Sequence, residues 1–167
     1  NSNNQIELST FLHSLIDGKI RFAKQTEINK VELCFYKNGC WKCHRENDVY
    51  FVNRLFSQEG VIIDGQHLMM DEDITFNPSI IKGLKKYIHE HQTETFIKGE
   101  INPRYSKTIG EAFPSFGCAQ CDSIFGNFYL QENMMELMYC TDSLRKAIIT
   151  LDEPIKVLAH CWYKVNN

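Results

Sequence analysis

Two cysteine pairs of identical spacing, Cys40-Trp-Lys-Cys43 and Cys118-Ala-Gln-Cys121, constrain this chain more than any other feature. A C-x2-C turn presents two thiolates to one metal ion, and two such turns complete a tetrahedral sulfur set. Residues 44–117 lie between the pairs, so the set closes only if that long segment folds back. A structural Zn2+ held by Cys40, Cys43, Cys118 and Cys121 is therefore expected, with the intervening segment as an insertion within a zinc ribbon. Four thiolates leave no coordination position for water, so the ion is expected to hold the fold and not to perform chemistry. The competing reading is two separate pairs of buried or redox-active thiols. A thioredoxin-like pair should open a helix in a βαβ unit, whereas both pairs here are followed by strand-like sequence.

Four thiolates on a divalent ion leave a net charge of about −2, and Lys42 and Arg45 are placed to offset it. The backbone after the second cysteine of each turn tends toward positive φ, where Gly is easiest and His and Asp are among the more tolerant side chains. This chain has His44 and Asp122 there. His44 could replace a cysteine as ligand, but four thiolates already complete the set.

Seven cysteines, an odd number, favour metal binding and reduced thiols over a disulfide framework. Cys34, Cys140 and Cys161 lie among apolar or aromatic neighbours and read as small buried hydrophobes. With 167 residues, 43% of them hydrophobic, the chain can bury the core of one domain. A net charge of −3 supplies no global attraction to nucleic acid. No apolar run is long enough to span a bilayer and no signal-peptide pattern opens the chain, so a soluble cytoplasmic protein without a membrane partner is expected. Asn1–Asn4 are set aside as a trimmed or foreign start.

Along the chain, Ile6, Phe11, Leu12, Leu15 and Ile16 recur at helical spacing and Asp17-Gly18 ends the run, which predicts an N-terminal helix packed on the sheet. Lys30–Tyr36 alternates as a half-buried strand, and Asp48–Val52 is its partner in a hairpin with the metal at its tip. Val61–Ile63 precedes an Asp64-Gly65 turn and an exposed acidic loop at Asp71-Glu72-Asp73. Asn77 and Pro78 open an amphipathic helix with Ile80, Ile81, Leu84, Tyr87 and Ile88 as its stripe. Lys82, Lys85 and Lys86 lie on its outer side, and His89 and His91 in its last turn. A polar stretch, Asn102–Gly117, leads into the second pair, and Phe125–Leu130 leaves it as a strand. Met134–Ile149 reads as one or two short helices with Thr141 or Asp142 as a cap, Leu151–Pro154 as a turn, and Ile155–Val165 as a long closing strand.

The expected fold class is α+β: an antiparallel sheet with a split four-cysteine zinc ribbon, an N-terminal helix and an inserted amphipathic helix. The layout is one domain over residues 1–167, with the N-terminal helix at 5–18, ribbon halves at 30–57 and 104–130, the insertion at 58–103, and a C-terminal helix and strand at 131–167.

Cys40-Trp-Lys-Cys43 with the strand Val49-Tyr-Phe-Val52, together with Tyr105-Ser-Lys-Thr and the run from Cys118 to Leu130, resembles a zinc-ribbon pattern of bacterial and phage proteins, some of them competence-protein CoiA-like. The resemblance covers about half the chain and implies a fold element, not an activity. Such proteins usually carry Gly after the second cysteine and Pro after the third, where this chain has His44 and Ala119.

A zinc deaminase needs H-x-E followed by P-C-x-x-C, and a zincin needs H-E-x-x-H. His89-Glu90-His91 satisfies neither, and Pro114 is four positions before Cys118. His160 and Cys161 are strand neighbours that point to opposite faces and cannot form a dyad together. Asp64, Asp71, Glu72 and Asp73 lack a following E-x-K element and read as solvated, and His13 and His67 are isolated. No phosphate loop or nucleophile elbow is present. The expected function is therefore non-catalytic, a zinc-binding protein-interaction domain. Its acidic balance and aromatic content suit an immunity or antitoxin protein that covers a bacterial toxin. The alternative is a nucleic-acid-binding zinc ribbon linked to DNA uptake, recombination or phage biology. It would use Lys82, Lys85, Lys86, Lys98, Arg104 and Lys107 as a basic face, residues that otherwise read as the solvated side of a helix and its surroundings.

Overall fold

Long alternating runs of β-branched and aromatic residues build the body of the molecule. The computed structural model describes residues 7–64, 72–91, 96–137 and 143–165, and within them not the side chains at 72, 73, 127, 128, 160 and 161. In chain order the elements are α1 (Leu8–Ile16), β1 (Ile20–Gly39), β2 (Glu46–Ser57), β3 (Ile62–Asp64), α2 (Glu72–Thr75), α3 (Pro78–Glu90), β4 (Ile101–Ser106), β5 (Glu111–Phe116), α4 (Asn127–Leu137) and β6 (Arg145–Lys164). The fold is α+β. Strands β3-β2-β1-β6 form one antiparallel sheet, and β4-β5 form a second.

The expected strand at Lys30–Tyr36 is the middle of a longer one. Its first half, from Ile20, pairs with the C-terminal part of β6, and its second half is flanked by β2 and β6 together. This central position buries both faces: Val31, Leu33 and Phe35 on one side, and Glu32, Cys34 and Tyr36 on the other. The half-buried alternation expected there is thus replaced by two-sided burial. Glu32 is tolerated because its carboxylate accepts from the Asn53 amide.

Helix α3 covers the Val31 face. Asn77 caps it through Oδ1, which accepts from Ser79 N at 3.0 Å, and Pro78 stands in its first turn. Ile80 and Leu84 are fully buried, and Gly83 lets the helix close on Ile149 and Thr150 of β6. On the Tyr36 face, the Tyr36 hydroxyl donates to Leu130 O of α4 at 3.4 Å.

Several expectations are corrected. Phe125–Leu130 is not a strand, because α4 begins at Asn127. Its buried residues Leu130 and Met134, with Leu137 packed against the core, recur at helical period, and that tertiary burial outweighs the β-preference of Phe128-Tyr129. Met134–Ile149 is not helical throughout, since α4 stops at Leu137 and Arg145–Ile149 belongs to β6. The cap expected at Thr141 or Asp142 lies outside the described residues. Leu151–Pro154 is not a turn but an irregularity inside β6: β1 advances from Ile28 to Lys30 while β6 advances from Ile155 back to Thr150. Pro154 is admissible there because the pairing skips it. Asn102–Gly117 is a β4–β5 hairpin, and Glu72 and Asp73 open α2 where a loop was expected. Asp71 lies outside the described residues.

The N-terminal helix forms as expected from Leu8 onward, but only its Phe11 side docks, with the Phe11 ring 5.3 Å from Trp162. None of its residues is buried, and Leu8, Leu12, Leu15 and Ile16 face solvent.

Candidate metal centre

Each cysteine pair lies on a turn with the same backbone wiring. Cys40 N donates to Arg45 O and His44 N to Cys40 O, both at 2.9 Å. Cys118 N donates to Ser123 O at 2.9 Å and Asp122 N to Cys118 O at 3.0 Å. His44 and Asp122 take φ values of 60° and 54°, the left-handed geometry expected after the second cysteine. The first knuckle closes the β1–β2 hairpin at the Gly39–Glu46 pair, and the second follows β5, where Gly117 bridges Ile124.

The segment between the pairs does fold back. Cys40 Sγ lies 3.6 Å from Cys121 Sγ, Cys43 Sγ lies 3.5 Å from Cys118 Sγ, and all four sulfurs fall within 4.8 Å of one another. Zn–S bonds of about 2.3 Å in a tetrahedron place sulfurs about 3.8 Å apart. The observed spacing fits that set and is far from the roughly 2.05 Å of a disulfide. The cluster could therefore hold a metal ion, and its all-sulfur donors suit a soft or borderline one. Among the described residues no other group of three or more His, Cys, Asp or Glu is close enough to do so.

Charge on the sulfurs is balanced mainly by neutral donors. Asn47, 1% exposed, joins the two knuckles: its Nδ2 donates to Arg45 O at 2.8 Å and to Cys118 Sγ at 3.6 Å, and its Oδ1 accepts from Ala119 N at 2.8 Å. Gln120 N lies 3.4 Å from Cys118 Sγ, and the Ser123 hydroxyl lies 3.3 Å from Cys121 Sγ. Burial opposes ionisation of Cys118, but the N–H groups of Gln120 and Cys121, the neighbouring Cys43 thiol and the Asn47 amide overcome it and hold its thiol down at about 6. The Ser123 hydroxyl and N–H likewise lower Cys121. At Cys43 the Arg45 N–H favours the thiolate, but burial and the three neighbouring sulfurs win and push the thiol up to about 12. The side chains of Lys42 and Arg45 are exposed. Nothing in the sequence marks Asn47 for this role except its place four residues after Cys43.

Trp41 also spans the junction, its Nε1 donating to Ile124 O at 3.0 Å. Just below the first knuckle, Asp48 is buried and accepts from Ile97 N at 2.7 Å, Lys37 Nζ at 2.9 Å and Arg145 Nη2 at 3.0 Å. Arg145 stacks over Phe96, 3.8 Å from its centroid. This ion cluster ties β1, β2, β6 and the segment after α3 together beside the cysteine cluster.

The other candidates are dispersed. Four of the six cations of the expected basic face are paired: Lys82 and Lys86 with Asp152, Lys85 with Glu100, and Arg104 with Asp122. Burial lowers Lys98, and Lys107 is exposed. His89 and Glu90 are exposed, while His91 stacks on Tyr87 at 4.0 Å. His13 bonds Ser9 O at 2.7 Å. Cys34 is fully buried, as expected of a core residue. Asp64 ends β3 on the surface. His67, Asp71 and Cys140 lie outside the described residues, as do the side chains of Glu72, Asp73, His160 and Cys161. No described helix is long and apolar enough to cross a membrane.

Comparison with known proteins finds no matching family model, and no curated protein or solved structure matches significantly.

Proposed function

We propose that this protein is a non-catalytic protein-interaction domain, stapled by a structural Zn2+ at Cys40, Cys43, Cys118 and Cys121 in a split zinc ribbon. The coordination chemistry supports the first half of this reading: four thiolates at tetrahedral spacing saturate the ion and leave no place for substrate or water.

One observation carries the second half. Leu8 (72% exposed), Leu12, Leu15 and Ile16 (82% exposed) line the open side of α1, and Phe22 and Trp162 stand half-exposed beside the helix. Along β6, Leu158 is exposed as well. Large apolar side chains gathered at one end of a small domain mark a contact surface, and aromatic residues among them suit binding anchors. The partner is proposed to be a protein, with a bacterial toxin neutralised by masking as the case the acidic balance fits. The pairing of Lys82, Lys85, Lys86 and Arg104 with carboxylates weighs against the nucleic-acid alternative, because those charges are already partly neutralised.

The test has two arms. Elemental analysis of the purified protein is expected to find one zinc per chain. Wild-type protein and a Leu12→Glu, Ile16→Glu variant are then compared for binding to candidate toxins encoded beside the gene, and both are titrated with single- and double-stranded DNA. Toxin binding lost in the variant supports the reading; submicromolar, salt-sensitive DNA binding with no protein partner overturns it.

A further inference from the structure

Arg104 belongs by sequence to the basic set expected of a nucleic-acid surface, yet its side chain is only 10% exposed. It leaves β4 and turns into the mouth of the second knuckle. There Nη1 donates to Ser115 O at 2.7 Å and Asn102 O at 3.3 Å, and Nη2 donates to Glu100 O at 3.0 Å and to the Asp122 carboxylate. The slot exists because residue 117 is glycine: a Cβ there would overlap the Arg104 guanidinium and crowd the Asp122 carboxylate. Gly99 serves the same closure, since a Cβ on it would overlap the carbonyl of Gly117.

Asp122 is the left-handed residue that follows Cys121. A non-glycine residue in that conformation is strained unless its surroundings hold it. The first knuckle is reinforced by Asn47 and joined to the long strands of the main sheet, whereas the second follows a ribbon of two six-residue strands.

We propose that Arg104 is a positioning residue for the metal centre: by gripping Asp122 and the carbonyls of Glu100 and Ser115, it holds the second cysteine pair in ligand-ready geometry and sets a cation beside an anionic centre. This rests on the reading of the four cysteines as a metal site. Outer partners of this kind change metal affinity by about tenfold to a hundredfold when removed.

The test titrates Zn2+ and Co2+ into the wild type and the variants Arg104→Gln, Arg104→Lys, Asp122→Asn and Arg104→Gln with Asp122→Asn. It follows the visible bands of the Co2+ protein and the rate of metal transfer to a chelator. Arg104→Gln and Asp122→Asn are each expected to weaken binding about tenfold or more and to alter the Co2+ bands, and Arg104→Lys to recover part of the loss. The double variant should be no worse than the poorer single one, because the two side chains act through one contact. The Asp122 side chain is 74% exposed, so Asp122→Asn remains a usable probe even if Arg104→Gln fails to fold. Variants that bind like the wild type, or losses that simply add, overturn the positioning role alone. A wild-type protein that takes up neither ion overturns the metal reading with it.

Discussion

The first knuckle caps strands of 20 and 12 residues at the centre of a four-stranded sheet, whereas the second follows a hairpin of two six-residue strands that forms a sheet of its own. Around the first, β1 and β2 contribute Val31, Leu33, Phe51, Val52 and Leu55, all fully buried. The β4–β5 hairpin contributes Ile101, Ser115 and Phe116, with Phe116 packed against Tyr50 and Phe76. An isolated two-stranded hairpin is marginal in water. Near-identical turns therefore rest on unequal ground: extensive hydrophobic burial supports one half, while the other adds the Arg104 contacts and the cysteine cluster to a smaller buried set.

Cys118→Ser removes a thiolate from the less supported half. Structural zinc is worth on the order of 10 to 16 kcal/mol, comparable with the stability of a whole domain. The variant, like Cys40→Ser, is expected to unfold or aggregate, and in any soluble fraction hydrogen exchange should lose protection in β4 and β5 before β1 and β2. A metal-free variant that folds cooperatively and protects both regions equally would refute the asymmetry. Next in size, Phe51→Ala in the main sheet should cost about 3 to 5 kcal/mol by urea unfolding, through loss of buried ring and cavity formation. Asp48→Asn should destabilise by a similar or smaller amount, because Lys37 and Arg145 lose a buried anionic partner while remaining half-exposed. Smallest, Asn77→Ala removes one helix cap and should cost about 1 kcal/mol.

The two cysteine turns also differ in the acidity of their thiols. Lowering of the Cys118 thiol to about 6 means that its thiolate is the favoured form at neutral pH, and that protons compete for it only as pH falls through that value. Cys43, pushed up to about 12, must instead release a proton to the solvent when metal binds. Metal uptake at pH 7 is thus expected to acidify weakly buffered solution, and bound Co2+ to lose its thiolate absorption with increasing steepness below about pH 6. Uptake without proton release would contradict a protonated thiol in the free cluster at pH 7.

The sequence made the two cysteine turns, the left-handed His44 and Asp122, and the Asn77-capped helix legible because each depends on local chemistry at fixed spacing. What it concealed depends on distant neighbours. Phe125–Leu130 carries β-forming residues, and only the burial of Leu130 and Met134 selects a helix. Leu151–Pro154 has the composition of a turn, but pairing on both sides of it with β1 keeps the strand running through. Arg104 and Asn47 look like ordinary polar residues until the fold brings Gly117, Asp122 and Cys118 to them.

The chain has two tryptophans, and they sit at its two most informative seams. The Trp41 indole bridges one cysteine turn to the other, while Trp162 lies edge to face with Phe11. Their fluorescence can be separated by replacing either with Phe. Emission from Trp41 then becomes a built-in gauge of whether the cysteine junction is shut, and emission from Trp162 of whether the first helix is seated, each read without an added label.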